Sequence, residues 1–180
     1  EQQKKIEIGT VTKLDISEKQ VRIVYLGIGS NLGNKINNIE KAKSLLIKNN
    51  INLISVSSYY KSPSWPNPKN PEFINIVVKI KCTLKPKILL ELCKSIEKKL
   101  GRKKTFKNAP RECDIDIIDF DGKISRNGLI LPHKMMHKRN FVLFPLFEID
   151  KNWIHPIMST NIKKLIFSLP NKDIRSIKQI

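Results

Sequence analysis

From Val21 onward, apolar and polar positions fall into short runs whose repeat switches between two residues and roughly 3.6. VRIVYLGIG (21–29) is rich in β-branched and aromatic residues and ends on glycine, which predicts a strand. Ile36, Ile39, Ala42 and Leu46 then recur at helical spacing through KINNIEKAKSLLIKN (35–49). INLISVSSYYKS (51–62) and FINIVVKIKCT (73–83) predict two more strands. Between them runs SPSWPNPKNP, a loop stiffened by four prolines. A second helix follows, with Pro86 near its first turn, an apolar stripe at Leu89, Leu92, Cys93, Ile96 and Leu100, and Gly101 just past its end. After a basic loop, residues 113–120 predict another strand.

The order β-α-β-β-α-β predicts an α+β protein with a ferredoxin-like core: a largely antiparallel sheet with helices packed on one face. Beyond it, GLILPHKMMHKRNFVLFPLFEI (128–149) predicts a short strand, a His-bearing turn or helical piece and another apolar segment. NIKKLIFSL (161–169) predicts a last helix within a C-terminal extension. Residues 1–20 show polar pairs and little periodicity, and read as an extension or linker ahead of a single catalytic domain at 21–180.

A chain of 180 residues, 40% of them hydrophobic, can bury a core of its own. Cys82, Cys93 and Cys113 have no CxxC spacing, so they read as reduced thiols rather than a disulfide framework or zinc site. No apolar run approaches the ~18 residues of a membrane span, nor does EQQKKIEIGT carry an apolar signal segment, so the expected location is cytoplasmic. The formal charge of +18 arises from 34 Lys and Arg against 16 Asp and Glu, spread along the whole length. Such scatter reads as a solvated surface, not a nucleic-acid face, although it would attract a polyanion such as ATP.

Against that positive background, APRECDIDIIDFDG (109–122) sets Asp114 and Asp116 on one face of a strand. Their Cα atoms should lie roughly 6–7 Å apart. A hard cation would cancel their repulsion, and Mg²⁺ usually takes one or two protein carboxylates plus substrate phosphates; two strand acids facing water would give the same pattern. Arg102, Lys103, Lys104, Lys107 and Arg111 lie in the loop feeding this strand. Phosphoryl transfer depends mainly on positioning and charge stabilisation, so a basic loop beside paired acids suits a Mg-nucleotide. His133 and Arg139 could meet across one helical turn or a compact loop as a second phosphate clamp, whereas His137 and His155 read as surface or packing residues. GIGSNLG (27–33) follows a strand and opens a helix, but Leu32 stands where the third glycine of GxGxxG would fall and no GK[ST] follows. It reads as a tight strand-to-helix turn.

GSNLG (29–33), YKSP (60–63), NPEFIN (70–75), GRKK (101–104), APRECDIDII (109–118) and LPHKMMHKRNFVLFPLFEI (131–149) occur in one order along the chain. In these motifs it resembles the 6-hydroxymethyl-7,8-dihydropterin pyrophosphokinase family of folate biosynthesis. The resemblance implies a ferredoxin-like α/β fold and transfer of diphosphate from ATP to the pterin's hydroxymethyl oxygen, releasing AMP. It implies that Asp114 and Asp116 hold two Mg²⁺ ions with bound ATP, and that Arg102 and Arg111 are catalytic. Lys104, Arg111, Ile117, His133 and Arg139 would bind ATP. Asn75 would hydrogen-bond the pterin, Phe73 and Phe141 would sandwich it, and Ser62, Pro63 and Trp65 would form the adjoining wall. Glu97 aligns near the ATP site but reads as a helix-surface acid. Segments 62–71 and 101–111 would be the moving lids. Asn108, Ala109, Lys104 and Lys134 depart from the family's usual residues. Expected partners are the two small-molecule substrates and other folate-pathway enzymes, with no nucleic acid or membrane. The competing reading is an RNA-binding module; its nearest strand motif, KRNFVLFPLF (138–147), lacks the glycine and leaves the aspartates without a role.

Overall fold

Val24, Leu26 and Ile28 point to one side of β1 (Arg22–Ser30), while Tyr25, Gly27 and Gly29 point to the other. In the computed structural model, which describes residues 20–103 and 108–180, this strand is central to a six-stranded sheet. It pairs antiparallel with β4 (Phe73–Cys82) on one side and β5 (Asp114–Phe120) on the other. β2 (Asn52–Val56) and β3 (Tyr60–Ser62) both run antiparallel to β4. This is the expected α+β arrangement with an antiparallel sheet.

The expected single strand at 51–62 is broken in the middle. At the break, the Ser57 hydroxyl accepts the Val77 N–H at 3.0 Å, so a side chain takes a rung of the backbone ladder. Ser58 turns outward to give its N–H and hydroxyl to Glu148.

α1 (Lys35–Lys48) is capped by Asn34, whose side chain accepts the Asn37 N–H. α2 (Pro86–Lys99) starts on its proline, and Gly101 follows with φ +102°. Both helices bury their stripes against Val24, Leu26, Ile28 and their neighbours on one sheet face. The opposite face is also covered, which corrects the one-face expectation. There α3 (Asn140–Ile149) and α4 (Ile162–Phe167) pack on Tyr25, Val77 and Ile118. Ile118 shares the face of Asp114 and Asp116, and a register shift opposite Tyr25 and Leu26 turns Asp119 to the same side, where it accepts from Trp153, so that Phe120 returns to the first core.

The expected short strand near residue 130 is a single bridge between Ser125 and Leu131. The His-bearing piece is a 3₁₀ turn at Met136–Lys138. The stretch nearest an RNA-binding strand motif is largely helical, as α3. Nor is α4 the last helix: α5 (Asn171–Ser176) follows, and β6 (Lys178–Gln179) adds to the sheet beside β3. Among the described residues no helix is long and apolar enough to cross a membrane.

Candidate active site

Residues directly opposite in antiparallel strands project to the same face. Gly29 stands opposite both Asn75 and Asp114, and Gly27 opposite Asp116. The middle strand therefore contributes no side chains where its neighbours contribute polar ones, and a cleft of about 1100 Å³ opens over this floor. A Cβ at Gly29 would collide with the Asn75 carboxamide oxygen. Gly27 and Gly29 thus serve the cleft rather than the turn expected of them; only Gly33 of the motif has a positive φ, +66°.

One end of the cleft is charged. Asp114 Oδ1 lies 2.6 Å from Arg102 Nη1, and Oδ2 lies 2.6 Å from Arg111 Nη2. Burial alone would raise the Asp114 pKa, but the two guanidinium groups outweigh it and hold the carboxyl below its ordinary value. Arg102 also reaches Glu97 Oε2 at 2.7 Å. Glu97 is only 2% exposed and commits its other oxygen to the Ile115 N–H and to Lys94. It is a buried anchor for Arg102, not the surface acid its sequence position suggests. The available signal was its place one turn beyond Cys93 in the apolar stripe.

Asp116 Oδ2 and His133 Nε2 both lie 3.4 Å from Arg139 Nη1, so the expected clamp does assemble. Burial lowers the His133 pKa below its ordinary value, leaving the ring neutral near pH 7. Its Nδ1 accepts the Met135 N–H, and its Nε2 faces both Arg139 and, at 3.8 Å, Asp116.

The other end is aromatic. Arg111 lies over Phe73 with its guanidinium carbon 5.4 Å from the ring centre, and Arg139 lies over Trp65 at 5.2 Å and Phe141 at 5.6 Å. The Nε atoms of both arginines are buried without a partner. Asn75 donates to the Ser62 hydroxyl at 3.3 Å, so Ser62 supports the wall from behind while being itself buried.

Pro63 adjoins Ser62 but is absent from the cleft lining. Ile117 faces the other way: its side chain lies in the core beneath the sheet, so it contributes no side chain to the cleft. Lys104 and Lys107 lie outside the described residues. Asn31, the middle residue of GSNLG, joins the two expected lids. Its side chain accepts the Arg111 N–H at 2.8 Å and donates to the Pro71 carbonyl at 3.1 Å. Asn70 likewise donates to the carbonyl of Asn108 at 3.2 Å. The free cysteines Cys82, Cys93 and Cys113 are all buried.

An α+β fold with a cleft of this polarity, guanidinium groups and paired acids at one end and flat aromatic faces at the other, defines a phosphate-transferring enzyme. Residues 25–151 match the family of 7,8-dihydro-6-hydroxymethylpterin-pyrophosphokinase (HPPK), and the chain belongs to that family. Its activity is the pyrophosphokinase reaction of folate biosynthesis, for which the family uses ATP. It is 41% identical over 142 residues to the 2-amino-4-hydroxy-6-hydroxymethyldihydropteridine pyrophosphokinase of Aquifex aeolicus, covering 78% of this chain and 88% of that protein. The Bacillus subtilis enzyme of the same description is 38% identical over 129 residues, 71% of this chain and 77% of that one. The folic acid synthesis protein of Dictyostelium discoideum is 41% identical over 150 residues, 83% of this chain but 23% of that much longer protein. A crystal structure of a Plasmodium falciparum HPPK-DHPS triple mutant shares the fold, with a TM-score of 0.72 at 16% identity over 92% of this chain and 48% of that one.

Proposed function

We propose that the chain transfers the β,γ-diphosphate of ATP to the hydroxymethyl oxygen of 6-hydroxymethyl-7,8-dihydropterin, with Asp114 and Asp116 as the metal-holding pair. The observation that carries this is the meeting in one cleft of a charged end, which holds the two aspartates, and an aromatic end, over a bare glycine floor.

The donor set suits Mg²⁺. Among the described residues no cluster of three or more His, Cys, Asp or Glu stands together. Two carboxylates completed by phosphate oxygens and water are the habit of Mg²⁺, whereas zinc favours a full protein set. Two Mg²⁺ ions bound with ATP would neutralise phosphate charge during transfer.

The chain's own side chains supply position and charge. Arg102 and Arg111 rest on Asp114 and turn their charge to the phosphates when ATP enters, giving the arginines their catalytic role. Arg139, His133 and Lys104 assist in holding ATP, with Ile117 offering backbone only. Phe73 and Phe141 stack on the two faces of the pterin, and Asn75 reads its polar edge. Trp65 completes that wall, with Ser62 supporting it from behind and Pro63 adjoining. Alignment of the hydroxyl with the β-phosphorus then supplies the acceleration.

Residues 21–180 form the catalytic unit in this reading, and a chain lacking 1–20 is expected to retain turnover. The cytoplasm suits three free, buried thiols, and the long Dictyostelium discoideum relative, in which such a segment occupies 23% of the length, supports other folate-pathway enzymes as partners.

The test is to mix protein, Mg²⁺, ATP and the pterin and to quantify nucleotide and pterin products by chromatography and mass. Equal, pterin-dependent amounts of AMP and pterin diphosphate are expected; ADP would mean that a different group is transferred.

A further inference from the structure

Asn140 lies between Arg139 and Phe141 in sequence, yet its side chain serves neither end of the cleft. Its Oδ1 accepts the Phe141 N–H at 2.7 Å, and its Nδ2 donates to the Asp173 carbonyl at 2.6 Å and to the Ser176 hydroxyl at 3.1 Å. It is 8% exposed. Both donor bonds run to α5, a helix with no fully buried residue of its own. The same segment reaches the opposite wall. β6 pairs with Tyr60 and Lys61 of β3, the Ile180 N–H donates to the Tyr59 carbonyl at 2.9 Å, and Gln179 donates to the Ser58 hydroxyl at 2.9 Å. β3 ends at Ser62, which accepts from Asn75. Trp65 shares a second cavity of about 400 Å³ with Pro170 and Asp173, at the start of the same segment.

We propose that residues 170–180 act as a strap across the pterin end of the cleft, and that Asn140 is the positioning residue through which the strap holds Phe141. One wall of the site descends from the start of α3, which Asn140 ties to α5. The other descends from β3, which β6 extends. The strap spans both, so the spacing of the aromatic walls depends on an element far from the metal pair in sequence. This inference rests on the assignment of Phe141 and the Ser62–Trp65 wall to the pterin.

The separating variant is Asn140→Asp. It keeps an oxygen for the Phe141 N–H and loses both donors to α5, and an acid in the first turn of a helix is not unfavourable. Ser176→Ala is the milder companion, removing one acceptor. Equilibrium Kd values for pterin and for ATP are measured separately, with thermal unfolding alongside. Asn140→Asp is expected to weaken pterin binding about fivefold to tenfold, the loss of roughly one buried hydrogen bond, with ATP affinity changed by less than about twofold. Deleting residues 178–180 should also weaken pterin binding, and the two changes combined should fall short of the sum of their effects.

Phe141→Ala is the control. If it leaves pterin affinity untouched, the assignment of the site itself is wrong. If it weakens binding while Asn140→Asp and Ser176→Ala do not, the strap is wrong and the site stands. A lowered melting temperature with unchanged Kd, or strict additivity with the deletion, would likewise overturn the positioning role.

Discussion

Arg111 Nη2 closes on Asp114 Oδ2 at 2.6 Å, although the two residues are three apart and belong to a loop and a strand. Arg102 takes the other oxygen at the same distance. The resting cleft is therefore charge-balanced internally around Asp114, while Asp116 is held more loosely, with Arg139 at 3.4 Å. The two acids of one strand face are unequal before any ligand arrives, and the looser one is the cleaner site to test.

Asp116→Ala should abolish metal-dependent turnover and leave pterin affinity largely intact, because its partners Arg139 and His133 remain and the floor and Asn75 are untouched. Steady-state turnover across a Mg²⁺ series, beside a pterin titration, checks this. Near-normal turnover in the variant would remove Asp116 from the metal pair.

Glu97→Ala leaves Arg102 with one anchor instead of two and strips the Ile115 N–H of its acceptor. Removing one member of a buried ion pair typically costs about 3 kcal/mol. A loss of that order in denaturant unfolding is expected, together with a raised KM for ATP and little change in KM for the pterin. A stable variant with normal KM for ATP would show that Arg102 is set by Asp114 alone.

Gly29→Ala should weaken pterin binding at least tenfold, roughly 1.4 kcal/mol, with a modest loss of stability. The added methyl meets the Asn75 side chain rather than backbone, so the strand survives while the carboxamide swings away. Calorimetric titration with pterin, and circular dichroism for the fold, distinguish this from unfolding; unchanged affinity would mean that Asn75 does not read the pterin in its observed position.

The misreading of those glycines shows where sequence reasoning stops. The alternation in DIDIID exposed the shared face of Asp114 and Asp116, because a period of two survives in any half-buried strand. The stripes of α1 and α2 were equally legible. Nothing local, however, distinguishes a glycine that bends a chain from one that clears space, since clearance at Gly29 depends on which residues stand opposite in β4 and β5. The break at Ser57 was hidden for a similar reason: it depends on the Val77 N–H, twenty residues away. α5 and β6 are short, and the stretch 171–180 carries only Ile174, Ile177 and Ile180 as apolar residues; hydrogen bonds from Asn140, pairing to β3 and the contact of Ile174 with the second core fix them, so they emerge only in three dimensions. Many of the side chains that line the cleft were visible from motifs, whereas its floor and supports were not.

Acid should destabilise the fold before it titrates ordinary carboxylates, and His155 is one cause. It is 4% exposed, and its Nδ1 accepts the N–H groups of Ile157 and Met158 at 3.2 Å each. Burial, with His137 beside it, holds its pKa below the ordinary 6.5. As pH falls through 6.5 the unfolded chain takes up a proton that the folded one refuses, so unfolding binds protons and stability declines until the folded value is reached. Stability from this group is full above the unfolded pKa and is lost on the acid side. The thermal midpoint should therefore fall as pH drops below the ordinary 6.5 of the unfolded imidazole. His155→Asn keeps an acceptor near the same N–H groups but cannot titrate. It should be less stable at pH 7, having lost the edge contact with Trp153 at 5.7 Å, yet show a shallower decline, His137 retaining its own share. Parallel midpoint curves for the two proteins would assign the acid sensitivity to other groups.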